Sequence, residues 1–278
     1  MEETYQTTRV LITVMTYPHP SVGHKELVCT AGITVNHDWV RLYPIAYRYT
    51  PADQQFHKYQ WIDIGLAPRG SGNDYRRESR RPLMESARIL GRPLGTERSW
   101  EARRAIIDRL PVHTVNQLKG LYESNKTSLG IVRPTRVLDL TIEESEREWK
   151  PKWQVLFKQF SLFGGNQKPL AKIPFKFSYI FECEDSTKPH RHMIEDWELG
   201  VLYLNEVARF RDEMKAAESV RSVFLSRLCA GDKDTRFFMG TVFPFNSWVV
   251  VGVFYPPKSP LDHQLRLFQG ATQAGLSS

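Results

Sequence analysis

Residues 181 to 200 read FECEDSTKPHRHMIEDWELG and set one cysteine, two histidines and six carboxylates within twenty positions. Three chemistries fit such a stretch. Cys183, His190 and His192, spaced C-x6-H-x-H, offer three of the four ligands that a tetrahedral zinc site takes, with Asp185 as a fourth. The chain has no C-x2-C knuckle to reinforce them, so they stand as metal candidates only and no cofactor is assigned. Glu195, Asp196 and Glu198 offer hard oxygen ligands for a magnesium-type nuclease. Only Glu195 and Glu198, three apart, share a helix face, and a base such as Lys176 is needed across from them. The third reading is structural. Acids gather at a helix start because the unpaired N–H groups and the macrodipole favour them there, and EDWE then opens a helix that Trp197 anchors on a core. The structural reading ranks first, which leaves the existence of an enzymatic activity open.

A second feature is electrostatic. The chain of 278 residues carries a net charge of +7, and the window from Arg69 to Arg109 holds eleven arginines, no lysine and six acids. Such a local excess is a footprint for polyanions, or a solvated loop whose arginines pair with neighbouring acids. On the first reading Arg69, Arg76, Arg77, Arg80, Arg81, Arg103 and Arg104 neutralise phosphates. Trp39, Arg41 and Tyr43, on the preceding strand, add stacking and contact.

The elements that must position these groups follow from periodicity. TRVLITVMT (8–16), ELVCTAGITV from 26, WVRLYPI (39–45) and KYQWIDIGLA (58–67) alternate as strands, with NHD at 36–38 as a hairpin turn. YPHPSVGHK is a loop, where His19 and His24 edge a pocket. Cys29 is a small core residue. Residues 68–96 dissolve into Arg, Pro, Gly and Ser and read as one long loop. Helices fit 97–109, 114–124 and a stretch begun near Pro151, with a strand at 136–143. The segment 161–174 contains Gly164 and Gly165 and marks a boundary between two halves. Beyond it Phe175, Phe177, Tyr179, Phe181 and Cys183 share one strand face, a core face in preference to a base-stacking platform. Helical periodicity runs over 194–217 and 218–229. RFFMGTV and SWVVVGVFY pair around FPFN, and the tail after Pro256 is polar.

Several blocks carry a resemblance: TYPHPSVGHKELVCTAGI, WVRLYPIAYR, FHKYQWI, KIPFKFSYIFEC, HMIEDWELGVLY and SWVVVGVFYPPK. Together they resemble a prokaryotic family of uncharacterised proteins, and the resemblance spans most of the chain. It implies no activity and transfers no catalytic residue. The front block, AGI followed by a turn and WVRLYP, is similar to the opening strands of OB-like nucleic-acid-binding barrels.

The expected fold is therefore α+β. Small twisted antiparallel sheets or an OB-like barrel form the N-terminal half, and a β–α–β–β unit forms the C-terminal half. The expected domains are 1–160, β-rich with an Arg-rich loop at 68–96, and 161–278, mixed α/β. A hydrophobic fraction of 41% is ordinary for a globular protein. No apolar run approaches bilayer length, and three scattered cysteines fit the cytoplasm. The G-x-S-x-G, P-loop and H-E-x-x-H motifs are absent. The expected function is nucleic-acid binding, to DNA or RNA. The alternatives are a basic subunit of a larger protein assembly, of the kind met in bacterial defence, and a metal-dependent enzyme acting on nucleic acid.

Overall fold

A computed structural model describes residues 4–71, 74–162, 169–242 and 246–258. Gly164, Gly165, most of the FPFN turn and the tail beyond residue 258 lie outside the described residues. The architecture is mixed α+β with several small sheets, and among the described residues no sheet closes into a barrel.

In chain order the first elements are β1 (Gln6–Met15), β2 (His19–Ser21), β3 (Lys25–Leu27), β4 (Thr30–Thr34), β5 (Trp39–Leu42), β6 (Trp61–Leu66), β7 (Ser79–Arg80) and β8 (Pro82–Leu90). Six of them form an open sheet in the order β7-β5-β4-β1-β6-β8, while β2 and β3 form a separate ribbon. Segment 68–96, expected as a long loop, holds β7 and β8. The outward residues Glu85 and Arg88 of β8 are exposed, so an edge strand of this kind shows charge where alternation is sought. β7 pairs parallel with β5, setting Arg41 beside Ser79 and Leu42 beside Arg80.

The chain continues through α1 (Glu97–Ile107), β9 (Val112–His113), α2 (Val115–Asn125), β10 (Leu129–Val132), β11 (Arg136–Glu144), α3 (Pro151–Leu162), β12 (Phe175–Glu182), β13 (His190–Met193), α4 (Trp197–Phe210), α5 (Glu213–Arg221), β14 (Arg236–Val242) and β15 (Ser247–Phe254). The periodicity over 194–217 breaks into two helices for a visible reason. Arg211 takes a left-handed conformation that ends α4, and the Asp212 carboxylate accepts hydrogen bonds from the Met214 and Lys215 N–H groups to start α5. HRHM is an edge strand, with His190 opposite Phe181 in register.

A central sheet, β15-β14-β10-β9, separates two cores. Phe237 and Met239 of β14, with Trp248, Val250 and Val253 of β15, face the C-terminal layer. There they meet the Phe175, Phe177, Tyr179 and Phe181 ladder of β12 and the buried sides of α4 and α5. The ladder is thus core. Phe238 of β14, with Val249, Val251 and Phe254 of β15, faces the other way onto Val14, Ala31 and Ile33 of the N-terminal sheet. Burial on both faces explains the near-continuous apolar run of β15, as it does for strands covered on two sides. The far face of the N-terminal sheet closes a third core around Val10, Ile12, Ile62, Ile64 and Phe56, against which Trp197 packs.

Helix α1 opens on a left-handed turn at Arg98, Ser99 and Trp100, with φ of 48°, 56° and 67°. Each such residue costs about 1–2 kcal/mol relative to right-handed backbone. Burial of the Trp100 ring offsets this: it meets Phe254 at 5.5 Å and Tyr255 at 4.7 Å between centroids.

Phe238 is the test of this layering, since its ring is buried against Trp39 and Phe254 between the two sheets. Phe238→Ala is expected to destabilise the whole chain by about 3–5 kcal/mol. Urea unfolding followed by tryptophan fluorescence and by far-UV circular dichroism should show one shifted transition common to both probes.

Candidate functional site

The EDWE segment lies where the N-terminal sheet meets the C-terminal layers. Glu195 precedes the helix and donates its N–H to Val250 O on β15 at 2.8 Å. Asp196 caps α4, its Oδ1 accepting the Glu198 N–H at 2.7 Å. The two carboxylates then diverge onto different partners from the N-terminal half. Glu195 Oε2 lies 2.8 Å from His19 Nε2. Asp196 Oδ2 lies 3.0 Å from Lys58 Nζ, which also reaches Glu198 Oε2 at 2.8 Å. The Lys58 side chain is 8% exposed and that of Asp196 1%, whereas Glu198 is largely in solvent.

Lys58 is held by the turn before β6. Tyr59 is left-handed there (φ 62°), and the Gln60 amide accepts from the His57 N–H within the turn and donates to Gly91 O just after β8. Arg103 closes over the Tyr59 ring, its guanidinium carbon 3.8 Å from the centroid.

The electrostatics follow from burial. Desolvation opposes the Lys58 ammonium, but Asp196 and Glu198 overcome it and hold the charge well beyond the ordinary lysine range. Desolvation pushes the Asp196 carboxyl up to about 6, with Lys58 drawing it back down only in part. At the other pair burial acts against both charges, yet their mutual attraction raises His19 and lowers Glu195. The His19–Glu195 pair thus contributes most between the ordinary carboxylate and imidazole ranges. It weakens as pH falls through the Glu195 range or rises through that of folded His19.

Two concavities flank this junction. One, of about 400 Å³, is lined by Thr16, His19, Cys29, Arg41, Arg76 and Glu195 with valines of β14 and β15. The other, of about 690 Å³, crosses the outer surface of the N-terminal sheet between Thr7, Arg9, Trp39, Arg69 and Arg80, with Asp38 on its rim. A smaller cleft sharing Pro68 and Arg80 continues it past Tyr43, His24 and Arg81.

With this geometry in place, comparison with known proteins is informative about family alone. Residues 111–272 match the model of a domain of unknown function, DUF8757, and residues 6–109 match a second, DUF8758. The chain belongs to the DUF8757 family. No curated protein matches the sequence. Among solved structures, a chain of a replication protein A heterotrimer bound to single-stranded DNA is similar over 98% of this chain and 70% of that one, at 13% identity and a TM-score of 0.30. A score that low does not establish a common fold. In this DUF8757 protein, no helix among the described residues is long and apolar enough to cross a membrane.

The residues singled out in sequence fall into separate places. Arg69, Arg77 and Arg81 are exposed, and Arg80 is half-buried in the outer groove. Arg76 is buried and bonds Asp74 through Nε and Nη2 and Thr241 O through Nη1. Arg103 covers Tyr59, and Arg104 donates to Pro257 O. Trp39 packs edge-on to Phe238 at 5.7 Å while flanking the groove, and Tyr43 flanks both the cavity and the smaller cleft. Arg41 is enclosed in the wall of the cavity.

The metal candidates do not converge, and among the described residues no three His, Cys, Asp or Glu side chains group as a metal site. Cys183 is buried, which raises its thiol pKa, and His192 Nδ1 lies 2.8 Å from Trp248 O. Glu195 and Glu198 do not share a helix face, because the helix begins at Trp197. Their basic partners are His19 and Lys58 rather than Lys176, which is exposed on β12. Lys58 gives no signal in the sequence, since KYQW reads there as a strand start.

Replacing Lys58 by methionine leaves Asp196 as an unpaired charge in a dry site. Lys58→Met should destabilise the chain by about 3–5 kcal/mol at neutral pH. The sign of the pH effect follows from the raised Asp196 pKa. Folded Asp196 keeps its proton to higher pH than unfolded Asp196, so its ionisation opposes folding increasingly as pH rises from the ordinary carboxylate range through about 6. Without Lys58 this effect grows. Chemical denaturation at pH 5 and at pH 7.5 should show the smaller loss at pH 5.

Proposed function

We propose that this DUF8757 protein binds nucleic acid along the outer groove of its N-terminal sheet. The observation that carries the reading is the pair Arg69 and Arg80. Both face the 690 Å³ groove, and no carboxylate of the described residues lies within ion-pair reach of either. Burial and the nearby positive charge of Arg69 together lower the Arg80 pKa, with Glu78 opposing in part. Two guanidinium groups set against one another gain when an anion enters between them. Thr7, Thr8 and Asn36 supply hydroxyl and amide groups along the same groove, and Trp39 supplies a half-buried ring. A phosphodiester backbone fits this mixture, with affinity dominated by the phosphates. The continuation past Tyr43 and Arg81 lengthens the path beyond one nucleotide.

Fluorescence anisotropy with labelled single-stranded DNA, double-stranded DNA and RNA, each across a salt series, tests the reading. Binding should weaken linearly in log–log form with salt. For a single strand, Arg69→Ala with Arg80→Ala should reduce the slope by about 1.4, the share of two phosphate contacts. Failure of all three nucleic acids to bind at low salt, or an unchanged slope in the double variant, removes the groove from consideration.

A further inference from the structure

The cavity on the inner side of the N-terminal sheet is separate from the groove, and its wall contains a buried cation with no direct ion-pair partner among the described residues. Arg41 is 1% exposed and is the largest fully buried side chain of the described residues. Its Nη2 donates to Ser128 O and Oγ at 3.0 and 3.2 Å, and its Nη1 lies 2.8 Å from Cys29 Sγ. No carboxylate of the described residues lies within ion-pair distance of it. Glu78, itself buried, accepts hydrogen bonds from the Ser128 N–H and hydroxyl, so its charge reaches Arg41 only through Ser128. A guanidinium is always charged, and a buried charge without a counter-charge costs several kcal/mol unless something supplies one.

Neighbouring Arg76 does not share this condition, since Asp74 neutralises it. Two lining side chains also hold a buried polar atom with no hydrogen-bond partner. These are Arg41 Nε and Thr241 Oγ1, the latter on a residue 3% exposed. Native proteins leave few such atoms unsatisfied, and each calls for an explanation, a bound ion being one. Leu27, Val249 and Val251 contribute apolar lining. A volume of about 400 Å³ suits a small organic molecule.

We infer that this cavity binds a small organic anion, a carboxylate or phosphate ester with an apolar body. Its anionic group meets Arg41 and Thr241, and its body lies against Val249 and Val251. Glu195 and His19 at the same cavity place the second polar end, where a donor group on the ligand would meet the Glu195 carboxylate. The ligand gains from the arrangement because the cation is already desolvated and oriented before it arrives.

Cys29 is the built-in reporter, since it lines the cavity and an occupant shields it. The rate of Cys29 alkylation by iodoacetamide is read by peptide mass spectrometry, alongside the melting temperature. Both are measured with inorganic phosphate, phenyl phosphate, benzoate and uncharged benzamide at millimolar concentration. Phenyl phosphate or benzoate should slow alkylation of Cys29 and raise the melting temperature, whichever of the two does so more strongly naming the anionic group. Benzamide should do neither. Thr241→Val removes a hydroxyl that has no partner, so the free protein should keep its melting temperature while protection weakens about fivefold. Arg41→Met should weaken protection by more than about tenfold. Cys29 alkylation unmoved by every anion, equal protection by benzamide, or full protection in a folded Thr241→Val or Arg41→Met protein would overturn the assignment.

Discussion

The constraint on which the structure depends is that β10, β14 and β15 have no solvent face. Alternate side chains of β14 and β15 are divided between two cores, with Phe237 and Met239 turned to one and Phe238 to the other. Strand register is then fixed on both sides at once, because a slip by one residue would exchange the contents of the two cores. The N-terminal sheet is placed by one core and the β12 ladder by the other. The polar groups at their junction inherit their positions from that apolar layering.

The ion pairs at the junction refine this placement. Asp196 serves two partners with one carboxylate, the first turn of α4 and Lys58 from the turn before β6. Glu195, one residue earlier, reaches His19 instead. Adjacent side chains of an extended segment point in opposite directions, so two neighbouring acids can clasp two separate pieces of the N-terminal half. The buried pair, Lys58–Asp196, contributes modestly to net stability but penalises any arrangement that leaves one member alone.

Much of the fold is legible in the sequence because its period is local. The β12 ladder, the β14–β15 hairpin and the acids that start α4 all announce themselves within a few residues. Elements that depend on distant partners do not. β10 is four residues long and exists by pairing with β14 more than a hundred positions later. β8 hides under charged outward residues. The candidate sites divide in the same way. The arginine excess is visible as composition, but composition cannot separate Arg76, paired with Asp74 inside the protein, from Arg69 at the surface. Arg41 reads as one polar residue of an alternating strand. Only the parallel neighbour β7 and the distant Ser128 show it to be enclosed.

The two-sided sheet also bears on how the chain emerges from a ribosome. The face formed by Val14, Ala31 and Ile33 is made early, Trp100, Ile107 and Ile131 of the same core follow, and its last members, from Phe238 to Phe254, are among the last described. At about 5–20 residues per second, the intervening stretch of roughly 200 residues delays completion of that core by on the order of ten seconds or more. The segments matched by the two family models are therefore bound together by synthesis as well as by packing. The earlier one contributes an apolar face whose core is complete only when β15 is made.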